Sequence, residues 1–91
     1  MAAITRRMTG DNRFTDPLDL QGDFNLSLSG DWVGTVTVQR SFDGGTTWLD
    51  VAEFTVNGEF VGNEPEPGVK YRVGVKPGDY TSGTVTGRLS Q

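Results

Sequence analysis

Apolar and polar residues alternate along most of the chain from Phe24 onward. In "DFNLSLSG", Phe24, Leu26 and Leu28 alternate with Asn25, Ser27 and Ser29. That period of two is the mark of a strand with one buried face. "GDW" after it predicts a turn. In "VGTVTVQRSF", Val36, Val38 and Phe42 share one face, and Thr35, Thr37, Gln39 and Ser41 the other. Arg40 falls on the apolar face near the end of the run, where its long stem lets the charge reach water. "DGG" is a strong hairpin signal. The return strand "TWLDVAEFTV" changes parity, with Leu49 and Val51 in one phase and Phe54 and Val56 in the other. A β-bulge near Ala52 reconciles the two. "NGE" predicts another turn and "FVG" a short strand. "VKYRVGV" alternates most cleanly, with Val69, Tyr71, Val73 and Val75 inward and Lys70, Arg72 and Gly74 outward. "TSGTVTGRLSQ" closes the chain with Val85 and Leu89 inward. Gly83 and Gly87 share that parity and leave room for a facing aromatic.

No helical period appears. Six or seven short strands with turns between them predict an all-β fold, a single small β-sandwich. Residues 1–13 lack either period and read as an extended N-terminal arm, with the sandwich over 14–91. "FTDPLDLQGD" reads as a lead-in holding at most a short edge strand, and "NEPEPG" as an extended acidic loop. No internal repeat of propeller or solenoid type is present.

Composition narrows the chemistry. The 91 residues suit one small domain. There is no Cys and no His, so no disulfide, no thiolate and no imidazole base or metal ligand is on offer. No cofactor motif or metal-binding spacing stands out. Three Arg against Asp11 give the first 13 residues a charge of +2, while five basic against eleven acidic residues give the remainder −6. An acidic body argues against a nucleic-acid partner. No apolar run is long enough to span a bilayer, and "MAAITRRMTG" lacks the apolar stretch of a secretory signal, so a cytoplasmic product without a membrane partner is expected.

"SFDGGTTW" fits the pattern Ser-x-Asp-x-Gly-x-Thr-Trp at Ser41, Asp43, Gly45, Thr47 and Trp48. It resembles the Asp-box of sialidases and other glycan-handling propellers. The resemblance implies a structural hairpin in which Asp43 accepts amides of its own turn, Gly45 takes a left-handed backbone angle, and Trp48 packs over the turn. In sialidases such hairpins lie away from the active site, and a site of that kind needs clustered Arg, a Tyr nucleophile and an acidic partner. Tyr71 and Tyr80 are the only tyrosines, and the inward parity of Tyr71 favours a structural role. No catalytic residue is assigned and no enzyme activity is expected.

"PGVKYRVGV" resembles the tyrosine-corner strand of fibronectin type III and immunoglobulin-like domains. It implies an immunoglobulin-like, Greek-key sandwich with the Tyr71 hydroxyl bonded to backbone upstream. "FNLSLSGDWVGTVTVQRSFDGGTTWLDV" with "GDYTSGTVTGRLSQ" resembles small accessory virion proteins of tailed bacteriophages. That resemblance implies a head decoration protein, assembled in the host cytoplasm, whose partner is the major capsid protein or another virion protein, with self-association open. The alternative is a tail- or fibre-associated immunoglobulin-like module that binds a glycan or host receptor. The basic arm supplies the candidate contacts Arg6, Arg7, Arg13 and Phe14. Trp32 is either a further contact or the residue that closes one end of the sandwich, and the second reading is favoured. Glu64 and Glu66, which flank Pro65, read as solvated loop charge.

Overall fold

Strands of one apolar face must be covered, and here two sheets cover each other. The computed structural model describes residues 2–91. In chain order the strands are β1 (Ala3–Met8), β2 (Arg13–Phe14), β3 (Leu18–Asp19), β4 (Gly22–Gly34), β5 (Val36–Ser41), β6 (Leu49–Phe54), β7 (Gly58–Glu64), β8 (Lys70–Val75) and β9 (Tyr80–Ser90). Among the described residues there is no helix. One sheet has the order β1-β9-β4-β7; the other has β2-β8-β5-β6, with β3 following β2 along the same edge of β8. All pairings are antiparallel. The all-β, two-sheet expectation holds.

The inward parity sets meet in one core. Phe24, Leu26, Leu28, Val85 and Leu89 come from the first sheet; Val36, Val38, Tyr71, Val73 and Val75 come from the second. The rings of Phe24 and Tyr71 lie 4.8 Å apart across the gap between the sheets. The parity change in the return strand is a bulge: Val38 pairs with Ala52 and Gln39 with Asp50, so Val51 is the extra residue. Phe54 then points inward and stacks on Phe60 of the neighbouring edge at 4.2 Å.

Four expectations need correction. Residues 3–8 are not a free arm. They pair with β9 from Ala3↔Ser90 to Met8↔Val85, and Met8 is fully buried. The period was hidden because β1 is an edge strand whose inward positions hold Ile4, Arg6 and Met8. Arg6 breaks the apolar series yet reaches across to donate to the Phe14 carbonyl on the other sheet. Second, "GDW" is not a turn. β4 runs straight through it, paired to β9 at Gly30↔Val85, Asp31↔Thr84 and Trp32↔Gly83. Gly30 and Gly83 have φ of 109° and 87°. A Cβ on Gly30 would sit 2.3 Å from the Thr84 carbonyl oxygen, and one on Gly83 2.1 Å from that of Asp31. Glycine serves close strand approach here, not reversal.

Third, the immunoglobulin-like order expects the strand after the tyrosine strand to pair with it. Here β9 pairs with β4 and β1, and β2 and β3 take that edge of β8. Fourth, Thr37, Gln39 and Ser41 occupy the outward parity of β5 but are buried; Gln39 is bonded to Arg72 and Asp50, and Ser41 to its own turn.

Candidate functional site

The hairpin between β5 and β6 is built by short-range hydrogen bonds. Ser41 Oγ donates to Asp43 Oδ1 at 2.7 Å and accepts from the Gly45 amide at 2.9 Å. Asp43 Oδ1 accepts from the amides of Thr46 and Thr47 at 3.1 and 2.8 Å. Gly44 and Gly45 take φ of 77° and 101°, angles that a Cβ resists. The Thr47 amide, then the Ser41 hydroxyl, favour the charged carboxylate and hold Asp43 at about 2, against an ordinary 3.8. A depressed folded value stabilises the native state above the ordinary carboxyl range, and that contribution is lost as pH falls toward 2. Thermal melts between pH 5 and 2 are therefore expected to show a smaller acid-dependent loss for Asp43→Asn than for the wild type. Identical pH slopes would show that the turn does not hold this carboxylate.

Trp48 does more than cover its turn. The Arg72 guanidinium carbon lies 4.3 Å from the Trp48 ring and 4.0 Å from the Phe14 ring. Both rings therefore pack against the same guanidinium. Each such contact contributes about 0.5–2 kcal/mol. Arg72 Nε donates to Gln39 Oε1 at 2.9 Å, Gln39 Nε2 donates to Asp50 Oδ1 at 2.9 Å, and Asp50 Oδ2 accepts from Lys76 Nζ at 2.7 Å. The outer face of the second sheet thus carries a fixed Phe14–Arg72–Trp48 ladder backed by a polar chain.

Gly74 makes room for the ladder. A Cβ there would lie 2.0 Å from the Arg13 carbonyl oxygen and 2.7 Å from the Phe14 ring. Gly74→Ala must therefore push β2 off β8 and displace Phe14. The expected result is a lower melting temperature together with altered Arg72 side-chain resonances. Wild-type resonances in a folded Gly74→Ala protein would contradict the packing.

The sequence-derived contact residues are divided among several elements of the fold. Arg6 is spent on the Phe14 carbonyl, and Arg13 donates to the Asp11 carbonyl at 3.0 Å. Arg7 is exposed on β1. Trp32 packs against the core, and its Nε1 donates to Asn57 Oδ1 at 2.7 Å, so it closes one end of the sandwich. Phe14 and Trp48 are brought together, and Arg72, which joins them, had no signal beyond an outward parity. Glu64 was misread as loop charge. It is the last residue of β7, 1% exposed, and accepts from Tyr71 Oη at 2.7 Å, Arg40 Nη1 at 2.8 Å and the Glu66 amide at 3.1 Å. The Tyr71 hydroxyl therefore bonds a side chain and not upstream backbone.

Burial and the Glu64 carboxylate push Tyr71 up to about 12, away from the ionised form a Tyr nucleophile needs. Burial alone would raise Glu64, but the Tyr71 hydroxyl, the Glu66 amide and Arg40 together outweigh it and keep its carboxyl below the ordinary value. Both shifts are those of a structural cluster. Among the described residues, no group of three or more acidic side chains is placed to hold a metal ion. Comparison with protein-family models, with characterised proteins and with solved structures finds no match for this chain.

Proposed function

We propose that this chain is a non-enzymatic virion protein of a tailed bacteriophage, a head decoration protein bound to the outer surface of the capsid. The observation that carries the reading is the Phe14–Arg72–Trp48 ladder, a pre-ordered aromatic and cationic platform on the outer face of a sheet. A platform whose side chains are already held in place loses little entropy on docking. The likeness of the β4–β6 region and of β9 to small phage accessory proteins supports the setting, with the major capsid protein as partner and the virion as location. The Asp-box reading of the hairpin belongs to the same proposal, with Asp43 and Gly45 serving to present Trp48. Glycoside hydrolysis is no part of it.

The N-terminal residues are not proposed as the capsid contact, because β1 is a structural strand. A tail- or fibre-associated module that grips a glycan or host receptor would use the same platform. The test is co-sedimentation of the purified chain with particles assembled without it. Saturable binding at one or more copies per capsomer is the expected result. Binding of a few copies at the tail would replace the decoration reading with the tail reading, and no binding would end both.

A further inference from the structure

Three cations stand along the outward side of β8 and just beyond its end: Lys70, Arg72 and Lys76. The two outer ones are neutralised within the chain. Lys70 Nζ meets Asp19 at 2.7 Å, and Lys76 Nζ meets Asp50 at 2.7 Å. Among the described residues, Arg72 alone of the three has no carboxylate within ion-pair distance. The Phe14 and Trp48 rings both pack against its guanidinium, and its Nε is committed to Gln39. What remains is the Nη edge, which makes no hydrogen bond to the described chain, on a residue that is only half-buried. Burial lowers the guanidinium below its ordinary value, whereas Arg40, hydrogen-bonded to Glu64, is raised. Arg72 is a desolvated cation held in one orientation without a counter-charge.

A planar guanidinium edge with two parallel N–H groups matches a carboxylate, and burial of the cation against rings strengthens such a pair over one in open water. We propose that the Nη edge of Arg72 is a docking point for a carboxylate side chain, Asp or Glu, of a protein partner. This rests on the capsid-binding reading and names the chemistry of the contact. A charged guanidinium fork selects for a carboxylate over the hydroxyls of a neutral sugar. Phe14 and Trp48 hold the guanidinium and Gln39 sets its rotation. The remaining acidic surface of the body discourages non-specific attachment to other acidic proteins.

The experiment pairs nuclear magnetic resonance with particle binding. A hexaglutamate peptide and an oligogalacturonate of equal charge are titrated into the full chain while Arg72 side-chain and Trp48 indole resonances are followed. The peptide is expected to shift both sets saturably. Arg72→Gln and Arg72→Lys, each first shown to be folded by its amide spectrum, are expected to weaken peptide and particle binding by roughly ten- to a hundredfold, the range for one charge-assisted contact. Arg72→Lys keeps the charge but loses the fork, so wild-type binding by that variant would overturn the bidentate contact. Tighter binding of the oligogalacturonate would overturn the protein-carboxylate assignment in favour of an anionic glycan. Particle binding unchanged in Arg72→Gln would overturn the inference and leave the capsid reading standing. Peptide shifts at Arg72 without particle binding would overturn the capsid reading and leave the carboxylate site standing.

Discussion

Removing residues 1–8 is expected to destabilise the domain severely, to the point of unfolding it at ordinary temperature. The segment contributes the β1 edge of the first sheet, in register with β9 from Ala3↔Ser90 to Met8↔Val85. Met8 is fully buried and Ile4 packs against the core. The Met8 methyl lies where a Cβ on Gly87 would meet it at 3.1 Å, so this side chain fills the space the glycine leaves. Truncating such a side chain to Ala alone costs about 2–5 kcal/mol. A domain of this size has roughly 5–15 kcal/mol in total, and the deletion also removes six residues of pairing and the Arg6 link between the sheets. The exposed edge of β9 would then offer a template for association. Urea denaturation of the truncated chain and of Met8→Ala measures both effects. Wild-type midpoints for the truncated chain would return these residues to the status of an arm.

The second large effect is expected at Glu64. Glu64→Ala removes one carboxylate and strands three donors: the Tyr71 hydroxyl, the Arg40 guanidinium and the Glu66 amide. Breaking a fully buried ion pair costs about 3–5 kcal/mol. The Arg40 side chain keeps 36% of its exposure, so part of its charge returns to water, and about 3 kcal/mol is the expected loss. Tyr71→Phe removes one donor and leaves Glu64 with two, at about 1–3 kcal/mol. The double variant should lose less than the sum, because both changes act on one hydrogen bond. The Glu64 carboxyl lies below its ordinary value, so its stabilisation is present above the ordinary carboxyl range and disappears as pH falls through the folded value. Chemical denaturation at pH 7 decides the matter. A Glu64→Ala midpoint no different from that of the exposed neighbour Glu66→Ala would refute the cluster.

Strands whose pattern is local were legible from residue order alone. Parity in residues 69–75 placed Val69, Tyr71, Val73 and Val75 in the core, and the phase change after Val51 located a bulge, because side-chain direction in a strand depends only on the residue's position in the pleat. The bonds around Asp43 were legible for the same reason, since every partner lies within four residues. Which strands meet emerges only from the folded chain. Glycine in "SGDWVG" serves a turn or a close approach equally well, and the backbone of β9 settles which. The segment 3–8 shows no period until β9 supplies the sheet and Met8 its core position. Glu64 is indistinguishable from loop charge until Tyr71 and Arg40 arrive from two other strands. The ladder likewise joins Phe14 of β2, Trp48 of the hairpin and Arg72 of β8, three segments that nothing in their local patterns brings together. Pairing across sheets depends on packing between distant segments, and no spacing along the chain encodes it.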